Sequence, residues 1–74
     1  MQTYRFAIVV EKDAEGYFAY CPELQGCYTQ GDTYEEVIAN VRDAIRLHVE
    51  DRLASNEPIT TSETISFSSL EVVI

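Results

Sequence analysis

One helix-length pattern dominates the sequence and limits the folds that the chain can adopt. Between about Tyr34 and Ala54, one stripe recurs at 3.6-residue intervals: Val37, Ile38, Val41, Ala44, Ile45, His48 and Val49. Thr33 fits the N-cap, Glu36 completes a capping box, and Pro58 cannot continue the helix. A single helix with one apolar stripe covers one face of a sheet. Any sheet in this chain therefore keeps its other face bare.

Three short β patterns precede the helix. The first, from Thr3 to Glu11, alternates with the period of two that is typical of a strand. A polar turn follows, in which Gly16 can adopt a positive φ. Tyr17–Cys21 and Cys27–Gln30 are the second and third predicted strands, separated by a loop in which Gly26 suits a tight turn. These thirty residues predict an antiparallel meander.

The last twelve residues predict a fourth strand. Glu63–Ile74 is rich in β-formers, namely Ile65, Phe67, Leu70, Val72, Val73 and Ile74. The predicted fold class is α+β in the order β-β-β-α-β, with one helix packed on one sheet face. A right-handed crossover would bring the fourth strand alongside the first. Open faces and free strand edges in so small a protein usually acquire partners.

Size and charge narrow the class of partner. The 74 residues make one domain, 1–74, which buries only roughly 60% of its unfolded surface, so we expect a dimer or larger homo-oligomer. Five basic residues stand against thirteen acidic ones, a formal charge of −8. Such a surface repels nucleic-acid phosphates and anionic lipids and attracts basic partners, although it also serves plain solubility.

The chain is expected to lie in the cytoplasm. No apolar run approaches the ~20 residues that a membrane span needs, and the N-terminus (MQTYRF) lacks the pattern of a signal peptide. Cys21 and Cys27 should then stay reduced and pack as small apolar side chains in the meander, although a disulfide between them remains open if the strands bring them close.

Three stretches together resemble the signature of HicB-like antitoxins. They are residues 13–27 (DAEGYFAYCPELQGC), residues 30–37 (QGDTYEEV) and Asp43-Ala44-Ile45. The resemblance covers about residues 4–50 and combines several fixed spacings, which makes it more specific than any single short motif. It implies a truncated, partial ribonuclease-H-like fold, in agreement with the element order predicted above.

The resemblance also implies a role. HicB antitoxins neutralise HicA, a small basic toxin that cleaves mRNA through a histidine, by covering it and blocking access of RNA. Many HicB proteins carry a C-terminal DNA-binding segment, but this chain stops at Ile74 after a strand-like tail. We therefore expect a single HicB-like domain with no DNA-binding segment and no direct nucleic-acid binding. A stand-alone oligomeric scaffold or regulator without a toxin remains an alternative.

A residual metal-dependent nuclease is a third alternative, which the implied fold invites. Ribonuclease-H enzymes gather carboxylates around Mg²⁺, one of them on the first strand. Here Tyr4–Val10 contains no acid, and Glu11 comes only at the end. Two thiols and His48 fall short of the four ligands of a zinc site. We therefore predict no catalytic, metal-binding or cofactor-binding residues. We interpret His48 as a hydrogen-bonded histidine at the edge of the core. A role for His48 as a ligand, a pH switch or a partner contact remains open.

Tyrosines of the sheet and apolar residues of the C-terminal strand supply the predicted contact residues. Five of them, with Phe6, Phe18 and Phe67, make the sheet mainly aromatic, and tyrosine is enriched at binding hot spots. An aromatic sheet that stacks RNA bases normally carries basic residues as well, and Arg5 is the only one on the first three predicted strands. We expect partner contacts on the open sheet face, the strand edges and the C-terminal strand, at Tyr17, Tyr20, Tyr28, Phe67, Val72 and Ile74.

Overall fold

The computed structural model describes residues 3–59 and 66–74. Its elements are β1 (Val9–Asp13), β2 (Gly16–Tyr20), β3 (Tyr28–Gly31) and α1 (Tyr34–Ala54). The three strands form one antiparallel sheet in the order β1-β2-β3, and α1 packs on β2 and β3. The predicted α+β class, with an antiparallel meander followed by one helix on the sheet, is confirmed.

The β1–β2 hairpin turns where the sequence predicted. Gly16 adopts a φ of +130°, and the backbone N–H of Glu15 donates to Asp13 Oδ1 over 2.8 Å. The first strand, however, begins at Val9 rather than Thr3. Val9 already pairs with Tyr20, the last residue of β2, so residues 3–8 lie beyond the end of their neighbouring strand and have no ladder to join.

The connection from β2 to β3 is a compact loop held by its own backbone. The N–H of Cys21 donates to the carbonyl oxygen of Cys27 over 3.0 Å, and Leu24 bonds to both cysteines. Gly26 adopts a φ of +80°, as a tight turn there requires. Because this loop takes up both cysteines, β2 ends at Tyr20 and β3 begins at Tyr28, one residue inside the predicted limits.

The helix has the predicted bounds because local signals fix both ends. The N–H of Glu36 donates to Thr33 Oγ1 over 3.0 Å, and Glu36 Oε1 accepts from the N–H of Asp32 over 3.2 Å. At the other end, Asn56 adopts a left-handed φ of 57°, before Pro58 is reached. Asn40 Nδ2 donates to the carbonyl oxygen of Gln30 over 2.9 Å, which ties the helix to β3.

The core lies between the sheet and the helix. One cluster joins Ala19 of β2 to Val37 and Val41 of α1, and the other consists of Cys21, Leu24 and Cys27. The predicted helical stripe is buried or half-buried along its length. The core therefore uses one face of the sheet only.

The predicted fourth strand requires a correction. Residues 66–74 form no strand, so the order in the described part of the chain is β-β-β-α rather than β-β-β-α-β. The remainder of the prediction, from Glu63 to Ile65, lies outside the described residues. High β propensity does not suffice to form a strand, because a strand also needs a neighbour for its backbone hydrogen bonds. The large apolar side chains of 66–74 are instead exposed.

Candidate partner-binding face

The strand register divides the sheet side chains between two faces. Val10, Ala19 and Thr29 lie opposite one another, and Ala19 is in the core against the helix. Because side chains alternate along a strand, the neighbouring rows point away from the helix. We call this surface the open face; it consists of Val9, Tyr20 and Tyr28 in one row and Glu11, Phe18 and Gln30 in the next.

Aromatic rings form the centre of the open face. The ring centroid of Phe18 lies 5.9 Å from that of Tyr20 and 6.0 Å from that of Tyr28. Tyr28 is 63% exposed, although Phe18 and Tyr20 are half-buried. No helix or strand within residues 3–59 and 66–74 packs on this cluster. Rings of this kind combine a large apolar area with few rotatable bonds, which suits them to anchoring a partner.

Carboxylates flank the aromatic cluster at the hairpin end. Glu11, Asp13 and Glu15 are all exposed and line a depression of about 280 Å³ beside Phe18. Lys12 is the only cation among its lining residues. An apolar patch with an acidic rim is complementary to a basic protein surface.

The structure brings together two of the six predicted contact residues. Tyr20 and Tyr28 lie on the open face. Tyr17 lies on the helix side, where it packs against the core, meets the Tyr34 ring edge-on at 6.2 Å and has Lys12 Nζ 5.9 Å above its ring. The other three are exposed in the segment 66–74 and are not joined to the sheet by a strand: Phe67, Val72 and Ile74.

Phe18 and Val9 also lie on the open face, although they are not among the contact residues predicted from the sequence. The alternation of side chains along β2 already indicated this arrangement in the sequence. Phe18 and Tyr20 are two positions apart and share a face, whereas Tyr17 falls on the other face. Because the tyrosines were selected by residue type and not by register, the predicted set includes Tyr17, which lies on the helix side, and its role as a contact residue stays a prediction.

The two cysteines belong to the core, as predicted. Both are free and buried, with 3% of Cys21 and 2% of Cys27 exposed. Burial raises the pKa of each thiol, because a thiolate would lose its hydration there; in Cys21 backbone hydrogen bonding opposes that rise. A raised pKa makes a thiol less nucleophilic at neutral pH.

The remaining candidate ligands do not converge. In the described ranges, no group of three or more His, Cys, Asp or Glu side chains is arranged to hold a metal ion. The His48 side chain is half-buried on the helical stripe and makes no hydrogen bond within those ranges, so its interpretation as a hydrogen-bonded histidine at the edge of the core stays a prediction. No helix of the described chain combines the length and apolar character needed to cross a bilayer.

Comparisons with known proteins identify a family and a similar fold. A family model, described as the HicB-like antitoxin of bacterial toxin–antitoxin systems, matches residues 6–71. The UPF0150 protein ssr1765 of Synechocystis is 42% identical over 65 residues, which cover 86% of this chain and 82% of the relative. A UPF0150 protein of Helicobacter pylori is 38% identical over 64 residues, covering 86% and 89%. A chain of the solved HicA3 and HicB3 toxin–antitoxin complex is similar with a TM-score of 0.65 and 25% identity, covering 81% of this chain and 70% of that one.

Proposed function

Because this chain belongs to the HicB-like antitoxin family, we propose that it binds a small basic HicA-type toxin and neutralises it by occlusion. The antitoxin would cover the surface through which the toxin reaches mRNA. One observation in this chain carries the proposal. The open face presents an aromatic cluster that no described helix or strand covers, with Tyr28 63% exposed and carboxylates at its rim.

The dimensions of the open face indicate how a partner would engage it. Three strands about 4.8 Å apart, each of four or five residues at about 3.3 Å per residue, give a flat footprint on the order of 200 Å². A stable interface takes about 800 Å² from each partner. The aromatic cluster is therefore the centre of the interface, and the toxin also contacts the hairpin and the strand edges.

Charge favours encounter with a basic toxin. The chain carries a formal charge of −8, and Glu11, Asp13 and Glu15 lie at the rim of the open face. Opposite charges accelerate association and align the two surfaces before contact. The association rate should consequently fall as salt is added, because exposed charges are screened within about 10 Å at 0.1 M ionic strength.

Occlusion requires no chemistry by the antitoxin. The proposal therefore includes a non-enzymatic role for residues 1–74, which act as one HicB-like domain and do not bind nucleic acid directly. It places the protein in the cytoplasm, where mRNA is translated. The acidic composition supports the absence of nucleic-acid binding, because phosphates are repelled.

The experiment first searches the genes next to this chain for a small basic HicA-type protein and then uses that protein. The two proteins are mixed, and binding and inhibition of mRNA cleavage are measured. Tyr28→Asp should raise the Kd by about tenfold or more, because it places a charge among the rings of the open face. Leu47→Asp is the matched control, since Leu47 is 62% exposed but lies on the helix, and it should bind like the wild type.

Three outcomes would contradict the proposal. One is a wild-type chain that neither binds nor inhibits the toxin. Another is equal binding by the wild type and both variants, which would remove the open face from the interface. The third is the lack of any such neighbouring gene together with purification of the chain alone from its native host.

A stand-alone oligomeric scaffold or regulator is the second candidate function. The observation that favours it is the exposed apolar segment 66–74, which suits self-association. Under this alternative, the pure chain forms a stable oligomer and no toxin accompanies it. Size-exclusion chromatography with mass determination, combined with the binding assay above, separates the two functions.

A further inference from the structure

One row of the open face combines three kinds of side chain across the three strands. The register places Glu11 of β1 opposite Phe18 of β2, and Phe18 opposite Gln30 of β3. All three residues line the depression of about 280 Å³ at the hairpin end of the sheet. A carboxylate, an aromatic ring and an amide therefore lie side by side on one surface, which we call the mixed row.

The fold does not use the polar groups of the mixed row. Glu11 and Gln30 are exposed, and neither side chain makes a hydrogen bond or an ion pair within residues 3–59 and 66–74. Asp13 in the same depression differs, because its Oδ1 accepts from the N–H of Glu15 over 2.8 Å and so holds the hairpin turn. Glu11 and Gln30 consequently keep their acceptor oxygens for a partner.

The ring of Phe18 suits a cation. The same hairpin already places a cation over a ring on its helix side, where Lys12 Nζ lies 5.9 Å from the ring centroid of Tyr17. On the open face, Phe18 borders the rings of Tyr20 and Tyr28, and no cation of the described ranges lies over it. The face of an aromatic ring attracts cations, arginine more often than lysine.

We propose that the mixed row binds an arginine side chain of the basic partner. The guanidinium lies over Phe18, donates to the carboxylate of Glu11 on one side and donates to the amide oxygen of Gln30 on the other. Strands about 4.8 Å apart put the backbones of Glu11 and Gln30 roughly 10 Å apart, a gap that their flexible side chains bridge with a guanidinium between them. The inference rests on the proposed function, because it names the side chain with which the toxin engages the open face.

Geometry selects arginine over lysine at the mixed row. A guanidinium is planar and has five N–H donors in a rigid fork, so it can donate to two sides while its face rests on Phe18. An ammonium is a compact, strongly hydrated point charge that does not stack on a ring in this way. Both side chains carry the same charge, and the net charge of −8 attracts them equally. A preference for arginine therefore reports the mixed row and not the net charge.

Titration of the isotope-labelled full chain with two short peptides tests the inference without a toxin. The probes are triarginine and trilysine with blocked ends, and binding is followed by backbone chemical shifts. Triarginine should bind about threefold more tightly or better, with the largest shifts at Glu11, Phe18 and Gln30.

Two variants of equal charge complete the titration. Glu11→Gln should remove most of the preference for triarginine. Glu57→Gln removes the same charge at an exposed site outside the sheet and should keep the preference. Equal affinity of the wild type for the two peptides, or a preference that survives Glu11→Gln unchanged, would overturn the inference. Because the Glu11 side chain is exposed, Glu11→Gln should not disturb the fold.

Binding of the HicA-type protein separates this inference from the proposed function. If that protein binds the wild type, Glu11→Gln should raise its Kd by about threefold or more relative to Glu57→Gln. Equal Kd values for the two variants would overturn the inference and leave the proposed function intact. A wild type that binds triarginine at the mixed row but not the HicA-type protein would overturn the proposed function and leave the arginine site.

Discussion

Alanine at Gly31 should destabilise the protein through a contact with the helix and not through backbone strain. A Cβ at this position would lie 2.7 Å from the backbone N of Val37, 3.0 Å from its Cα and 3.1 Å from its Cβ. The first turn of α1 or the end of β3 must therefore shift. Overpacking of this kind lowers the free energy of unfolding by about 1–3 kcal/mol. Alanine also restricts the unfolded chain, which offsets about 0.4–1 kcal/mol of that loss. The net loss is about 1–2 kcal/mol.

Gly26→Ala is the matched comparison. Gly26 has a φ of +80° but no heavy atom within 4 Å of an added Cβ, so alanine there introduces backbone strain without a contact. For a domain of this size, 1 kcal/mol shifts the melting temperature by about 4–8 °C, so Gly31→Ala should lower it by roughly 5–15 °C in a calorimetric scan. In the Gly31 variant, backbone chemical shifts should also change at Val37; in the Gly26 variant they should not. A Gly31 variant as stable as the wild type would refute the close packing of β3 against α1.

The remaining predictions concern the cap, the thiols and catalysis. Thr33→Ala should lower the free energy of unfolding by about 1 kcal/mol, because the Glu36 N–H loses its acceptor; an unchanged melting temperature would show that the helix does not begin there. Burial raises the pKa of Cys21 and of Cys27 from 9.0 in the folded protein. Their contribution to the free energy of unfolding is therefore complete below pH 9 and is lost as the pH rises further. Denaturant titrations that show no loss of stability above pH 9 would contradict this prediction. Both thiols should react with iodoacetamide much faster in urea than in buffer, and equal rates would argue against their burial. The pure chain should not cleave RNA in the presence of Mg²⁺, and an activity abolished by Glu11→Ala would support the nuclease alternative.

The sequence predicted best the features that depend on neighbouring residues. Thr33, Glu36 and the stripe along α1 act within a few positions of one another, and the helix has the predicted bounds. The turn at Gly16 depends on one local φ and was predicted for the same reason. Local chemistry determines such features almost independently of the rest of the fold.

Features that depend on distant neighbours were predicted less well. Residues 3–8 have the alternation of a strand, but β2 ends opposite Val9, so no ladder reaches them. Residues 66–74 have high β propensity but lack a pairing neighbour within the described chain. The face occupied by Tyr17 follows from the register with β1 and β3, and a shift of one residue moves every side chain to the other face.

Chemical-shift mapping of the isotope-labelled chain with the basic HicA-type protein proposed as its partner tests the central claim most directly. The account predicts that the largest changes occur at Phe18, Tyr20 and Tyr28, while the solvent side of α1 around Leu47 stays unchanged. Changes concentrated on that side of the helix, with the three aromatic residues unaffected, would show that the toxin docks elsewhere and would contradict the account.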